Sequence, residues 1–526
     1  MIACILIFMS LTISQAPVLP VAEHDRLEVV LPVEFQQLLH KANASGRMKI
    51  FLNSTRSQNR ADPADGPFFQ DPQPIYSIAV QSLKPGQSVV IDFNAVAYPL
   101  PLDELNGEFE VQAVFDHHHS ERAHHSPGNL FSKPVTIHFD RSARDTKVIE
   151  LTERVPEIAL PVIENVVWID EISPMLTMVL GRPTKQRAAV LFPHGYNDLA
   201  FPRRVWPTIY VIPGFGGRFR DIESYMRMVR APMTGAVPQA VWVILDPESP
   251  LGHHGFADSQ LNGPRASALV QEFIPQLQER FRLLRDPAAR LLTGHSSGAW
   301  SALWLQLNYP NSFGGCWASS PDPVDFSAFQ KSNLYLDENV FTDAQGNAQG
   351  SYRMPIGDVD EKILMSVQQE VGMERALDPD GGSGEQWDSW SACFSPPGIR
   401  QDLPLRAFDP LTGKINHNVI EKYWSRYDIL RLVSKNWKEL APVFATKVHL
   451  LVGARDSFYL ERAVANLQKK IVALQEADLR AGIAPLKGDG FIEVLPGATH
   501  DTAAVIARGR FALSMREYLK KQGFSE

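Results

Sequence analysis

The sequence predicts an α/β protein, a mostly parallel sheet flanked by helices, preceded by a β-rich, sandwich-like N-terminal domain. Three observations predict it. From residue 160 onward, compact and nearly continuous apolar runs recur ("AAVLFP", "TIYVIPG", "AVWVILDP", "RLLTGHS", "GGCWASS", "KVHLLVG", "FIEVLPG"), as strands buried on both faces require. Between several of them lie stretches with apolar residues at three- and four-residue spacing, such as "ALVQEFIPQLQERFRLL" and "RAVANLQKKIVALQEADL", which is helical periodicity. Before residue 155 the grammar differs: "MKIFLN", "YSIAVQSL", "SVVIDF", "FEVQAVF" and "KPVTIHFD" alternate apolar and polar residues between Gly, Pro, Asn and Asp, the pattern of half-buried antiparallel strands.

Taken in chain order, "MIACILIFMSLTISQAP" reads as a secretory signal peptide over residues 1–16, an apolar run ending in the small-residue pattern Ser14-Gln15-Ala16. Export to the periplasm or the exterior is therefore expected. No later segment has the length and apolarity of a transmembrane helix. The β-rich domain is expected over 17–160 and the α/β domain over 161–526. Residues 326–440 interrupt the strand and helix alternation with Gly-rich turns and aromatic pieces, too long for a simple connection, and read as an inserted cap. A chain of 526 residues with 44% hydrophobic content can fill such cores. Its net charge of -8 argues against a nucleic-acid partner, which calls for a basic surface. Three cysteines give no disulfide framework; Cys316 falls in an expected core strand and Cys393 in a loop-rich region, with a single bridge between them left open.

The stretch "GHSSG", residues 294–298, carries the chemistry. It follows a buried run and precedes the apolar helix "AWSALWLQLNYP", so Ser296 stands at the tip of a strand-turn-helix elbow, its hydroxyl exposed at the sheet's carboxyl edge. Serine needs a histidine base oriented by a carboxylate, in the order Ser, Asp or Glu, His. Asp456 follows the strand "KVHLLVG" and His500 follows "FIEVLPG", each in the loop where the sheet requires it. Asp456 is preferred to Asp501 and Glu461. The oxyanion would be held by the backbone N–H of Ser297 and, from the loop in "TIYVIPGFGGRFRD", by that of Phe215, beside Gly216.

With "YVIPGFGG", "GFADSQLNGP", "GHSSGAWSALWLQLNYPNSFGGCWASSP", "LLVGARDSFYL" and "LPGATHD", the chain resembles the Putative esterase family of α/β-hydrolases. This family includes esterase D, enterochelin esterases, feruloyl esterases and mycolyl-transferring antigens. The likeness spans about residues 185–325 and 445–515. It implies an α/β-hydrolase fold, Ser296, Asp456 and His500 as a triad, and a β-rich N-terminal domain.

Other constellations are weaker signals. His254, Asp258 and Ser259 in "LGHHGFADSQLNGP" lie on the same sheet edge as Ser296 and could shape a substrate pocket, as could Trp387 within the aromatic cluster of the insertion. "DHHHSERAHHS" packs five histidines together; it matches no closed zinc pattern and reads as a solvated loop. The resulting expectation is a secreted serine carboxylic-ester hydrolase needing no metal or cofactor, acting on a small or polysaccharide-linked ester. An acyltransferase with the same triad, a serine peptidase and a catalytically silent carbohydrate-binding protein are the alternatives.

Overall fold

The computed structural model describes residues 26–39, 44–57, 61–141, 146–200, 202–223, 225–226, 237–357 and 360–524. The expected signal peptide, and Cys4 within it, lie outside the described residues. Among the described residues no helix is long and apolar enough to cross a membrane.

The N-terminal part forms two sheets. Strands Ser88–Ile91, Arg26–Val30 and Thr146–Glu150 make the smaller one, and the larger is built around Ala44–Ser54, Ile75–Leu83 and Gly107–Asp116. Alternation along Ala44–Ser54 sends Met48, Ile50 and Leu52 into one core with Leu27, Val29, Val111 and Phe115. Phe51, between them, points to the opposite face. There it joins Ile75, Tyr98 and Val114 in a second cluster completed by Met365, Met373 and Leu377 from the later part of the chain. The buried Lys49 on the same face is neutralised by Asp116 at 2.6 Å.

Later in the chain eight strands form one sheet: β1 (Val166–Ile172), β2 (Lys185–Leu191), β3 (Thr208–Ile212), β4 (Val241–Leu245), β5 (Arg290–His295), β6 (Gly315–Ser319), β7 (Val448–Gly453) and β8 (Phe491–Leu495). Their spatial order is β1-β2-β4-β3-β5-β6-β7-β8. The pairs β1/β2 and β2/β4 are antiparallel and all others parallel. "TIYVI" and "VWVIL" in β3 and β4 are buried at every position, which explains their unbroken apolar character. Chain direction across the sheet reverses at β3: β4 lies on one side of it and β5 on the other. Crevices at such a switch point, outside the carboxyl ends of the strands, are where α/β sheets bind ligands.

Between β6 and β7 the chain leaves the sheet. It makes a hairpin, Gly350–Ile356 with Asp360–Ser366, followed by several helices, including Val367–Leu377 and Gln386–Phe394. The helix after β5, α1 (Ser297–Asn308), is consequently buried along almost its whole length. Trp300 and Trp304 stack on one another at 5.2 Å and meet Phe394 and Tyr427 of the intervening segment.

One point the sequence left open closes here, and one expectation needs correction. Cys393 lies in the helix Gln386–Phe394 within the loop-rich stretch, and it does not pair with Cys316. Both thiols are free, and burial pushes each up to about 12. The histidine run is also not solvated throughout. His119 is exposed, but His124 is buried against Phe51 and its Nε2 meets the Gly66 carbonyl at 3.2 Å. Packing on Phe51 together with the contact to the Gly66 carbonyl takes its ring out of solvent. Among the described residues no group of three or more His, Cys, Asp or Glu is arranged to hold a metal.

Candidate active site

Ser296 occupies the turn between β5 and α1 with φ 57° and ψ -128°, a left-handed backbone that a side chain rarely tolerates. Both flanking glycines are sterically required. A Cβ on Gly294 would lie 2.3 Å from the Gly298 carbonyl oxygen, and one on Gly298 would lie 2.0 Å from that of Ile212 in β3. The turn is closed by the Ser296 N–H, which donates to the Ser319 carbonyl at the end of β6 (3.0 Å). The first N–H groups of a helix have no intrahelical acceptor, so the Ser297 N–H is free to face a ligand at the positive end of α1.

The loop after β3 comes alongside. A Cβ on Gly214 would stand 3.1 Å from the His295 carbonyl oxygen and 3.3 Å from the Ser296 Cβ, a tight approach that glycine relieves. Phe215 and Gly216 follow, Gly216 at φ 76°. The β3 and β5 ends that carry these residues pair in register, Ile212 with Gly294, at the sheet's switch point.

Asp456 follows β7 and His500 opens the helix Thr499 caps, just after β8. His500 Nδ1 and Asp456 Oδ2 are 2.8 Å apart, and both groups are buried. The His500 ring lies 4.3 Å from that of His295, the residue before Ser296, and is met edge-on by Phe458 at 4.9 Å. Ser296 Oγ makes no hydrogen bond to His500 in this structure; such bonds commonly tighten only once substrate is bound. Burial opposes charge on His500, but the Asp456 carboxylate outweighs it and holds the imidazole above its ordinary value. Burial likewise opposes charge on Asp456, and the facing His500 brings it below the usual carboxylate range. His295 goes the other way: burial and the neighbouring His500 push it down to about 3, keeping it neutral. Asp501 is exposed, and Glu461 is engaged by Arg353 at 2.7 Å, so neither faces the imidazole as Asp456 does.

The weaker candidates are distributed differently. His254 is buried, with Nδ1 accepting from the Phe256 N–H. Asp258 accepts hydrogen bonds from the Ser267 N–H and hydroxyl, tying its strand to the helix that follows, and Ser259 accepts one from the Asn262 N–H within its own turn. Trp387 is buried in the aromatic core of the intervening segment and donates to Glu370 (3.3 Å). Its neighbour Trp390 is the one that approaches the site. Trp390 Nε1 donates to Asp322 Oδ2 (2.8 Å), which also accepts from Ser297 Oγ (2.7 Å). Asp322 was not singled out from the sequence, although it follows β6 at the same sheet edge; burial raises its pKa.

A cavity of about 1050 Å³ opens beside His500. The N-terminal part supplies one wall, with Arg56, Phe68, Phe69 and Asp71, while Tyr352 of the hairpin and Phe458 supply the other. Gln70 bridges the two walls by donating to the Tyr352 hydroxyl (3.2 Å).

A strained serine on a strand-helix elbow, a histidine-aspartate pair at two neighbouring strand ends and an adjacent glycine-rich loop define an α/β-hydrolase. The chain matches the family described as "Putative esterase" over residues 183–501 and belongs to it, and is therefore an esterase on that fold. No curated protein matches it. Among solved structures it is similar to a ferulic acid esterase, at 12% identity over 67% of this chain and 97% of that one, with a TM-score of 0.36. It is also similar to an S-formylglutathione hydrolase from Agrobacterium tumefaciens, at 12% identity over 68% and 98% of the two chains, TM-score 0.36. A ferulic acid esterase from Anaeromyces mucronatus follows at 13% identity, 67% and 91% coverage and a TM-score of 0.33.

Proposed function

We propose that the protein is an exported serine carboxylic-ester hydrolase that works through an acyl-enzyme on Ser296. His500 removes the Ser296 proton as Oγ attacks the ester carbonyl, and Asp456 holds the imidazole tautomer and stabilises the imidazolium. The Phe215 and Ser297 N–H groups receive the developing oxyanion. His500 then gives its proton to the departing alcohol, and water, activated by the same imidazole, releases the acid. In this reading the signal peptide at 1–16 is removed, 17–160 forms a β-rich domain, and 326–440 is a cap inserted into the hydrolase domain of 161–526.

The single observation that carries the reading is the convergence of the Asp456–His500 pair on the elbow: 2.8 Å between acid and base, and 4.3 Å from that base's ring to the residue next to Ser296. The cavity beside His500 supports an ester with a bulky portion that lies between the N-terminal wall and Tyr352. The purified protein is expected to hydrolyse p-nitrophenyl acetate in the presence of EDTA and to react with a fluorophosphonate. Ser296→Ala should abolish both while leaving the circular dichroism spectrum unchanged. Undiminished hydrolysis by that variant would refute the assignment.

A further inference from the structure

We propose that Glu121 is a positioning residue for ester hydrolysis, reaching from the N-terminal part to clamp the loop that presents the Phe215 N–H to the oxyanion. The proposal rests on the esterase reading above. Residues 214–220 contain no strand or helix. Their turn bonds are local: Gly217 N–H to the Gly214 carbonyl (3.0 Å), Asp221 N–H to that of Arg218 (3.1 Å), Ile222 N–H to that of Arg220 (2.9 Å) and Arg218 N–H to Asp221 Oδ2 (2.7 Å), and glycines at 214, 216 and 217 leave the segment around Phe215 soft. Something else must hold Phe215 in place.

That anchor is Arg218, three residues on and 7% exposed. Its guanidinium is gripped on two edges. Nε and Nη2 donate to Asp246, just beyond β4, at 2.8 and 2.9 Å. Nη1 and Nη2 donate to Glu121 at 2.8 and 3.0 Å. Paired forks of this kind fix direction as well as distance. Asp246 ties the loop to its own sheet, whereas Glu121 ties it to a separate part of the chain. Glu121 is itself held firmly. It is 6% exposed, its N–H donates to Ser126 Oγ (3.1 Å), and that hydroxyl donates back to the Glu121 carbonyl (2.9 Å). Arg187 of β2 adds a further bond to it at 2.9 Å, and Arg220 lies at 3.5 Å. The adjacent Arg122 completes the clamp, its guanidinium 4.9 Å above the Phe215 ring and 3.3 Å from Glu385.

Without the Glu121 charge, Arg187, Arg218 and Arg220 would converge on a group unable to balance them. The loop would then be pushed away from the elbow. A displacement of about 1 Å in a catalytic donor can cost about 100-fold in rate. The consequence is a composite site, in which the hydrolase sheet carries the reacting groups and the N-terminal part sets the geometry of the oxyanion donor.

Glu121→Gln keeps the shape and removes the charge. For p-nitrophenyl acetate its kcat is expected to fall about 10- to 100-fold with KM within about threefold, because an oxyanion donor acts in the transition state. Hydrogen exchange at the amides of 215–218 should quicken at least about tenfold, while 290–295 stay protected. A folded Glu121→Gln with wild-type kcat and unchanged exchange would overturn the proposal. Should that variant fail to fold, Glu121→Asp, which keeps the charge but withdraws it by one methylene, decides the matter by the same two readouts. A wild-type protein inert to esters and to fluorophosphonate would remove the esterase reading instead, and the exchange comparison would still report whether Glu121 holds the loop.

Discussion

At the scale of single residues, the elbow is a place where atoms leave no slack. Gly298 sits under β3 so closely that a methyl group there would overlap the Ile212 carbonyl oxygen, which is backbone and cannot swing aside. Gly298→Ala is therefore expected to cost about 3 kcal/mol and to abolish fluorophosphonate labelling; a urea melt and a labelling gel read both. His500 offers a second test with a definite sign. In the proposed mechanism its proton must be absent for it to act as base, and although burial opposes the charge, Asp456 raises its pKa above the ordinary 6.5. The acid limb of kcat/KM should consequently lie above pH 6.5, rising as the imidazole loses its proton. Asp456→Asn removes the charge that opposes burial, so the limb should move to lower pH while kcat drops about 10⁴-fold. A wild-type limb below 6.5, or one that stays in place in the variant, would contradict the assigned pair.

At the scale of elements, the hairpin Gly350–Ile356 with Asp360–Ser366 fastens the acid-bearing loop. The Arg353 N–H donates to the Ser457 carbonyl (2.9 Å) and its Nε to that of Asp456 (2.9 Å), while Nη1 and Nη2 reach Glu361 and Glu461. Burial pushes Glu461 up to about 7, against the pull of Arg353. Arg353→Met would leave the half-buried Glu461 unpaired, destabilising the protein by about 3 kcal/mol. A carboxyl whose folded pKa lies above its unfolded value resists folding more as pH rises and it ionises. The penalty should thus be larger at pH 8 than at pH 5, and equal urea midpoint shifts at the two values would exclude this account. The hairpin and its neighbouring helices also show where sequence patterns lose information. Ser296, Asp456 and His500 each follow a strand of the sheet, in "RLLTGH", "VHLLVG" and "FIEVL", so the sequence offered them jointly, by position after a strand and by the order Ser, Asp, His, and not one by one. The nine-residue helix Gln386–Phe394 was not, because the Gly-rich "DPDGGSGEQ" before it masks its start. Nor could periodicity tell that Trp390, not Trp387, turns toward the site: both are buried, and only the packing of the helix against Asp322 separates them. Glu121 was hidden for a different reason. Its partners Arg187, Arg218 and Asp246 come from distant parts of the chain, and the surrounding histidines draw attention to metal chemistry instead.

At the scale of the whole molecule, the N-terminal sheets and the α/β part share buried structure instead of meeting at a wet surface. Phe51, Ile75, Tyr98 and Val114 pack with Met365, Met373 and Leu377 in one apolar cluster. The Glu121 network lies elsewhere along the same junction, and Gln70 reaches Tyr352 beside the cavity. Domains joined by small polar interfaces unfold separately, whereas a shared apolar core couples them. The two parts are therefore expected to unfold in one transition. All ten tryptophans lie at or beyond residue 168, so fluorescence reports the α/β part and its intervening segment alone. Hydrogen exchange in the strands Ala44–Ser54 and Gly107–Asp116 reports the N-terminal part. With urea, protection of those strands should be lost at the same concentration at which the tryptophan emission shifts. Met373→Asp, which places a carboxylate in the shared cluster, should lower both midpoints together; strands that open at lower urea in the wild type, ahead of the fluorescence change, would show that the junction does not couple the two parts.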